Sequence, residues 1–230
     1  MTLTDNLRDK YIRFQPMPRS RIVTDAIGIG VGVASYGVSF GALGVSSGLD
    51  IFQTMSLSLL MFTGASQFAL VGVISAGGSS VAAIVTAFFV GIRNFAYAVS
   101  MNDLLQVKGL KKIIAGHLTI DESTAMGLSH KETDGAYAFW TTGISVFVFW
   151  NLATLLGAVA INVAGDPRAL GLDAAVVAGF LALLWPQLKN WKLRYLALAS
   201  SGIALLTFSF TPADKPRNPP RASEPYFVDI

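Results

Sequence analysis

The stretch from Ile51 to Arg93, IFQTMSLSLLMFTGASQFALVGVISAGGSSVAAIVTAFFVGIR, decides the fold, because its first 42 residues carry no Asp, Glu, Lys or Arg. A run of roughly 20 apolar residues spans a bilayer as a helix. This one is long enough for two passes, with Gly77-Gly78-Ser79-Ser80 as the turn. Residues 26–49, 135–165 and 195–213 are equally free of charge. Over the whole 230 residues 53% are hydrophobic and 13% charged, about half the charged share of a soluble domain. The chain reads as all-α, a polytopic helical membrane protein.

Working outward from that stretch, six clear apolar helices are predicted near 24–47, 52–76, 80–102, 134–163, 170–188 and 193–211. A seventh, doubtful and polar segment at 110–130 holds Lys111, Lys112, His117, Asp121, Glu122 and His130. It is too polar to face lipid, so it packs inside the protein or lies along its surface. Residues 1–23 read as a cytoplasmic N-terminal segment, 24–211 as the transmembrane domain and 212–230 as a disordered tail. The tail reading rests on composition, since 211–230 holds five of the nine prolines and has no apolar period. The basic N-terminus precedes an apolar run longer than the ~7–15 residues of a signal-peptide core, so that run reads as a retained first span.

Charge placement bears on how the helices cross. If all six cross simply, nine Lys and Arg fall on the cytoplasmic side and seven outside, Arg93 uncounted. If one helix between Asp50 and Asn102 is re-entrant, the split becomes twelve against four, the bias expected of cytoplasmic loops. The bias therefore hints at a broken or re-entrant helix in the 52–102 pair, the device with which secondary transporters build midplane sites. A weak internal repeat, Gly48-Leu49-Asp50 and Gly171-Leu172-Asp173, points the same way.

Several function classes drop out. The net charge is only +3, and the basic residues sit at the ends of apolar runs, so no nucleic-acid partner is expected. With no cysteine there is no disulfide framework, thiolate metal site or cysteine nucleophile. No H-E-x-x-H, G-x-S-x-G or P-loop pattern is present. The chain does not read as an enzyme, and no cofactor or metal is expected.

The candidate site residues are the polar ones inside apolar helices. Ser56, Gly64 and Gln67 interrupt the second apolar helix, where a buried amide and exposed backbone would either meet a zwitterionic ligand or bond a neighbouring helix. Arg93 lies about 20 Å along a helix that starts near Ser80. A guanidinium there faces a bundle interior or cavity and needs an anionic partner, or else snorkels to the interface. Tyr97 shares its face at i+4. His117, Asp121 and Glu122 form the one dense titratable group, open to two readings. They relay protons, with His117 and Asp121 on one helical face, or Thr119-x-x-Glu122 is a capping box. The glycines at 28/32, 37/41 and 44/48 invite close helix contact, within the chain or with a partner.

Phe40-Gly41-Ala42, Met55-Ser56, Phe62-Thr63-Gly64-Ala65-Ser66-Gln67-Phe68, Arg93 with Tyr97, and Leu118-Thr119-Ile120-Asp121-Glu122-Ser123 resemble the AzlC family over roughly residues 20–165. That family supplies the large subunit of bacterial branched-chain amino acid exporters. The resemblance implies a multi-pass protein of the bacterial plasma membrane working with a small AzlD-type membrane subunit. It implies export of valine, leucine, isoleucine or methionine. Ser56, Gly64, Gln67, Arg93 and Tyr97 would then bind substrate, with Asp121 and Glu122 in proton coupling. Gly91 and Asn94 stand where the family usually has Asn and His, which removes a titratable histidine beside Arg93. The alternative is a structural or assembly subunit whose glycine faces dock a partner that itself transports.

Overall fold

The computed structural model describes residues 18–164, Leu188 and 191–210. The helix expected near 170–188, the second Gly-Leu-Asp and the termini 1–17 and 211–230 lie outside the described residues. Within them the chain is helical, with no strand. The helices are α1 (Arg19–Ser46), α2 (Ile51–Leu60), α3 (Gly64–Ser75), α4 (Ser80–Leu105), α5 (Leu110–His117), α6 (Asp121–Ser129), α7 (Gly135–Ala164) and α8 (Trp191–Phe210).

Three of these are long and apolar enough to cross a membrane, Arg19–Ser46, Ser80–Leu105 and Gly135–Ile161. Of the six expected apolar helices, those near 24–47, 80–102 and 134–163 are found as these three, the one near 193–211 as α8, and the one near 170–188 lies outside the described residues. The predicted helix 52–76 is two shorter ones, because α2 ends at Leu60 and α3 begins at Gly64. The polar segment 110–130 is also two helices, so His117 and Asp121 do not share one helical face.

The scaffold is the pair α1 and α7, which run side by side and parallel. Arg19 at the start of α1 donates to Asp134, just before α7, at 2.8 Å, and its guanidinium lies 4.9 Å from the Tyr137 ring centre. Further along, a Cβ on Gly30 would meet Ser145, one on Gly37 would meet Ala153, and one on Gly41 would lie 1.9 Å from the Thr154 carbonyl. Both helices thus start at one face of the bundle, the Arg19 face. The chain between them has to return there.

It returns through α4 alone. α2 starts at the far face, where Asp50 accepts from the Gln53 N–H while Gln53 accepts from the Asp50 N–H. It descends past Gly44, whose missing Cβ leaves room for Thr54, and bonds Thr154 through Ser58 at 3.2 Å. The chain then doubles back, since the Gln67 amide in α3 donates to the Leu57 carbonyl at 2.9 Å. A continuous helix would separate residues ten apart by about 15 Å. The end of α3 and the start of α4 share a groove with Leu49 and Phe52, back at the far face. Gly77 makes that turn at φ 78°, a conformation that glycine adopts without a Cβ clash.

α4 then crosses to the Arg19 face, where Met101 and Leu104 pack on Gly127, and Leu104 also on Gly135. From there α5 and α6 form a second hairpin. The ring of His117, the last residue of α5, lies 5.8 Å from Phe62 and 5.7 Å from Phe147. Phe147 is twelve residues into α7, roughly 18 Å from its start. The two hairpins enter from opposite faces, and their tips meet near the middle of the bundle.

Two outcomes follow for the membrane-inserted chain. Single cysteines in this cysteine-free sequence, probed with a membrane-impermeant thiol reagent, should place Ser20→Cys and Lys108→Cys on one side and Ala76→Cys on the other. Six simple crossings would instead put Ala76 with Ser20. Replacing Gly41 with Leu should lower the folded protein recovered from membranes several-fold. Gly28→Leu, with nothing within 4 Å of its missing Cβ, should be tolerated in the same assay.

Candidate functional site at two helix breaks

Ending a helix in mid-bundle leaves its last carbonyls without partners. At the first break the Leu57 and Met61 carbonyls accept from the Met61 and Thr63 N–H groups, and the Gln67 amide adds a second bond to each. Its Nε2 donates to Leu57 at 2.9 Å and to Met61 at 3.1 Å, which uses both of its hydrogens. Gln67 is fully buried, and its Oε1 has no partner in the structure. Ser66 beside it is 1% exposed and its Oγ is likewise unpartnered. Gly64 opens α3 against the Trp150 ring, which a Cβ would approach to 3.1 Å. Phe40 and Phe68 complete an apolar wall around Trp150 at ring separations of 6.1 and 6.4 Å.

At the second break Ser123 does a similar job. Its Oγ donates to the Leu118 carbonyl at 2.6 Å and accepts from the Ile120 N–H at 3.1 Å. The capping box read from Thr119 to Glu122 is thereby corrected. The cap residue is Ile120, whose N–H donates to Ser123 with no bond in return from its own side chain, while the Thr119 hydroxyl donates back to Ala115 at 2.7 Å. Asp121 and Glu122 therefore occupy the first turn of α6.

Arg93, midway along α4, lies between the breaks. Its Nη2 is 2.9 Å from Asp121 Oδ2, with the two side chains 42% and 43% exposed. Tyr97 interacts with the same carboxylate one turn further along α4. The first break reaches α4 as well, because Ser66 Oγ lies 3.1 Å from where a Cβ on Gly91 would sit, two residues before Arg93.

The structure thus brings Arg93, Tyr97 and Asp121 into one cluster, with Glu122 next to Asp121. Gly64 and Gln67 sit at the neighbouring break, which meets α4 at Gly91, about 200° around that helix from Arg93, and whose Phe62 ring touches His117. Ser56 is apart from them. It lines an apolar groove of about 610 Å³ at the far face, between α2, α3 and the start of α4. Sequence reasoning met Ser123 and Phe62 only as members of the family motifs and gave neither a role in the site. The signal for Ser123 was a hydroxyl three residues after a β-branched residue that cannot cap with its own side chain. Gly37 and Gly41 are covered by α7, which leaves Gly28 and Gly32 as the open small-residue pair on α1.

Among the described residues, two helix breaks meet around a mid-bundle ion pair, beside three helices long and apolar enough to cross a membrane, the architecture of an all-helical membrane protein. The model of the AzlC protein family matches residues 28–164, and the chain belongs to that family. It is similar to a Helicobacter pylori protein named as an uncharacterized membrane protein, 26% identical over 193 residues, which cover 79% of this chain and 82% of the relative. An Archaeoglobus fulgidus protein of the same description is 32% identical over 184 residues, or 74% of this chain and 75% of the relative. No solved structure matches.

If Arg93 and Asp121 stabilise each other, removing either partner leaves an uncompensated charge at mid-bundle. Partial exposure reduces that cost, so a coupling of about 1 kcal/mol is expected. Arg93→Gln with Asp121→Asn should melt in detergent at a higher temperature than the sum of the single losses allows. Strict additivity would show that the pair is not coupled.

Proposed function

We propose that this chain is the large subunit of a secondary transporter that exports branched-chain amino acids, valine, leucine or isoleucine, or methionine, across a bacterial plasma membrane. The observation that carries the reading is the Arg93–Asp121 pair, held midway along a long apolar helix between two helix breaks. A lone arginine at that depth is costly unless it serves a cavity or ligand, and a guanidinium matches a carboxylate with two parallel N–H donors. Membership of the AzlC family supports transport over catalysis.

Orientation follows from charge. Between residues 18 and 164 the Arg19 face holds Arg19, Arg21, Lys108, Lys111, Lys112 and Lys131, and the opposite face holds no Lys or Arg. The positive-inside rule makes the Arg19 face cytoplasmic. Arg93 then receives the carboxylate of a substrate arriving from the cytoplasm, and the apolar walls around Trp150 accept an aliphatic side chain. Asp121 or Glu122 exchanges the coupling proton.

A small AzlD-type membrane subunit completes the transporter. Its docking is supported by the outer surface of α4, where Phe88, Phe89 and Phe95 are all exposed and Phe89 lies one turn before the half-exposed Arg93. Against the assembly-subunit alternative, the Gly37 and Gly41 faces it would use are filled by α7 of the same chain.

The test is efflux of labelled valine and methionine from preloaded cells without the chain, with it alone, and with it plus the small subunit. Efflux should accelerate only with both. Arg93→Ala should reduce it by roughly tenfold or more, the cost of losing one charge-assisted carboxylate contact, at unchanged protein level in the membrane. Normal efflux from that variant would remove Arg93 from the site.

A further inference from the structure

At the Arg19 face, where α4 turns into α5, lies a polar cavity of about 600 Å³ whose lining includes Asn102, Asp103, Gln106, Lys108 and Lys112. The chain bends there through two positive-φ residues, Gln106 at 48° and Gly109 at 59°, and the bend brings both lysines to the end of α4. Two lysines against one aspartate give the lining one net positive charge. Among the described residues no ion pair neutralises any of the three. A concave surface with that excess of positive charge attracts an anion.

The outer side of α4 indicates which anion. Phe88, Ile92, Phe95 and Val99 recur at spacings of three and four, which places them on one helical stripe, and each is more than half exposed. Asn102, Asp103 and Gln106 continue the same stripe into the cavity. From Asn102 back to Ile92 is about 15 Å of helix, the depth of one leaflet in a hydrocarbon core of ~30 Å. Charge sits at the head of the stripe and apolar surface below it, the order in which a phospholipid presents its parts.

We propose that this end of α4 binds an anionic phospholipid of one net negative charge, of the phosphatidylglycerol type. Its phosphodiester lies on Lys108 and Lys112. Asp103 and the Asn102 and Gln106 amides accept from the headgroup hydroxyls, and an acyl chain follows Val99, Phe95 and Ile92 toward mid-bilayer. Phe89 and Arg93 each follow a stripe residue by one position, about 100° around the helix. That side of α4 stays open to the small subunit, and the lipid lies at its edge. Because Lys112 is on α5, the lipid clasps the base of the hairpin that carries Asp121 to Arg93. The site does not depend on what is transported.

Lipid titration of the detergent-purified full chain, read by native mass spectrometry, tests the site. Phosphatidylglycerol should bind roughly 30-fold more tightly than phosphatidylcholine of the same acyl chains, at about fivefold for each lysine near an anionic headgroup. Lys108→Gln with Lys112→Gln should remove that preference. Arg21→Gln with Lys131→Gln, on the same face but outside the cavity, should keep it, and phosphatidylcholine binding should be unchanged in both variants. Equal affinity of the unmodified chain for the two lipids would overturn the site. So would equal losses in the two variants, which would spread the attraction over the whole basic face. A competition needs no variant: sn-glycerol 3-phosphate at matching concentration should leave bound phosphatidylglycerol in place. Displacement would assign the cavity to a soluble phosphate ester and overturn the lipid.

Discussion

A helix that stops inside a bilayer exposes backbone carbonyls that lipid cannot satisfy, at several kcal/mol for each group left bare. The arrangement of residues 51–129 depends on meeting that constraint twice. Gln67 spends its whole amide nitrogen on Leu57 and Met61, and Ser123 closes on Leu118. In both cases the donor comes from the start of the next short helix, so the same bond that helps to satisfy the break also folds the chain back. Without the fold-back, Phe62 and His117 would not meet, and Asp121 would not reach mid-bundle depth to face Arg93.

The hairpins need a fixed wall to fold against, and α1 with α7 provides it. Between apolar helices in lipid there is little hydrophobic drive to associate, so close packing has to supply the attraction. The 1.9 Å clash that a Cβ on Gly41 would make with the Thr154 carbonyl shows how near the two backbones run. Because the pair is parallel, the intervening chain must cross an odd number of times. With α4 as the one long helix in between, both hairpins are left to turn back on themselves. Topology, packing and site depth thus follow from one glycine-lined contact.

Much of this was legible in the sequence. The uncharged runs marked the long helices to within a few residues, and the distribution of Lys and Arg favoured a broken 52–102 pair before any contact was known. The position of the break was not legible. Met61-Phe62-Thr63 is as apolar as its neighbours, and what interrupts the helix is a tertiary bond from Gln67, which no local pattern reports. Ser56 illustrates a second limit. Two positions along a helix are about 200° apart, so Ser58 is buried on Thr154 while Ser56 faces the outer groove. At the second break the Thr-x-x-Glu spacing matched a capping box, but Thr119 spends its hydroxyl on the helix behind it. Ser123 is left to do the capping. Arg93 and Asp121 were each recognisable as a charge in the wrong solvent; that they belong to each other required the fold.

The partial exposure of that pair decides what it can do. An ion pair at the open surface contributes about 0–1 kcal/mol and would come apart without consequence. A sealed one would hold its partners too tightly to exchange them. Arg93 and Asp121 lie between these limits, each with about two fifths of its side chain open. Arg93 cannot simply be released, because an unpaired arginine at mid-bilayer costs roughly 2.5–3.5 kcal/mol even on the more permissive scales. It leaves Asp121 readily only when another anion takes its place. Under the proposed export function that replacement is the substrate carboxylate, so opening the pair is conditional on substrate being present. The chemistry that makes the arginine expensive in the membrane is then what prevents the site from cycling empty.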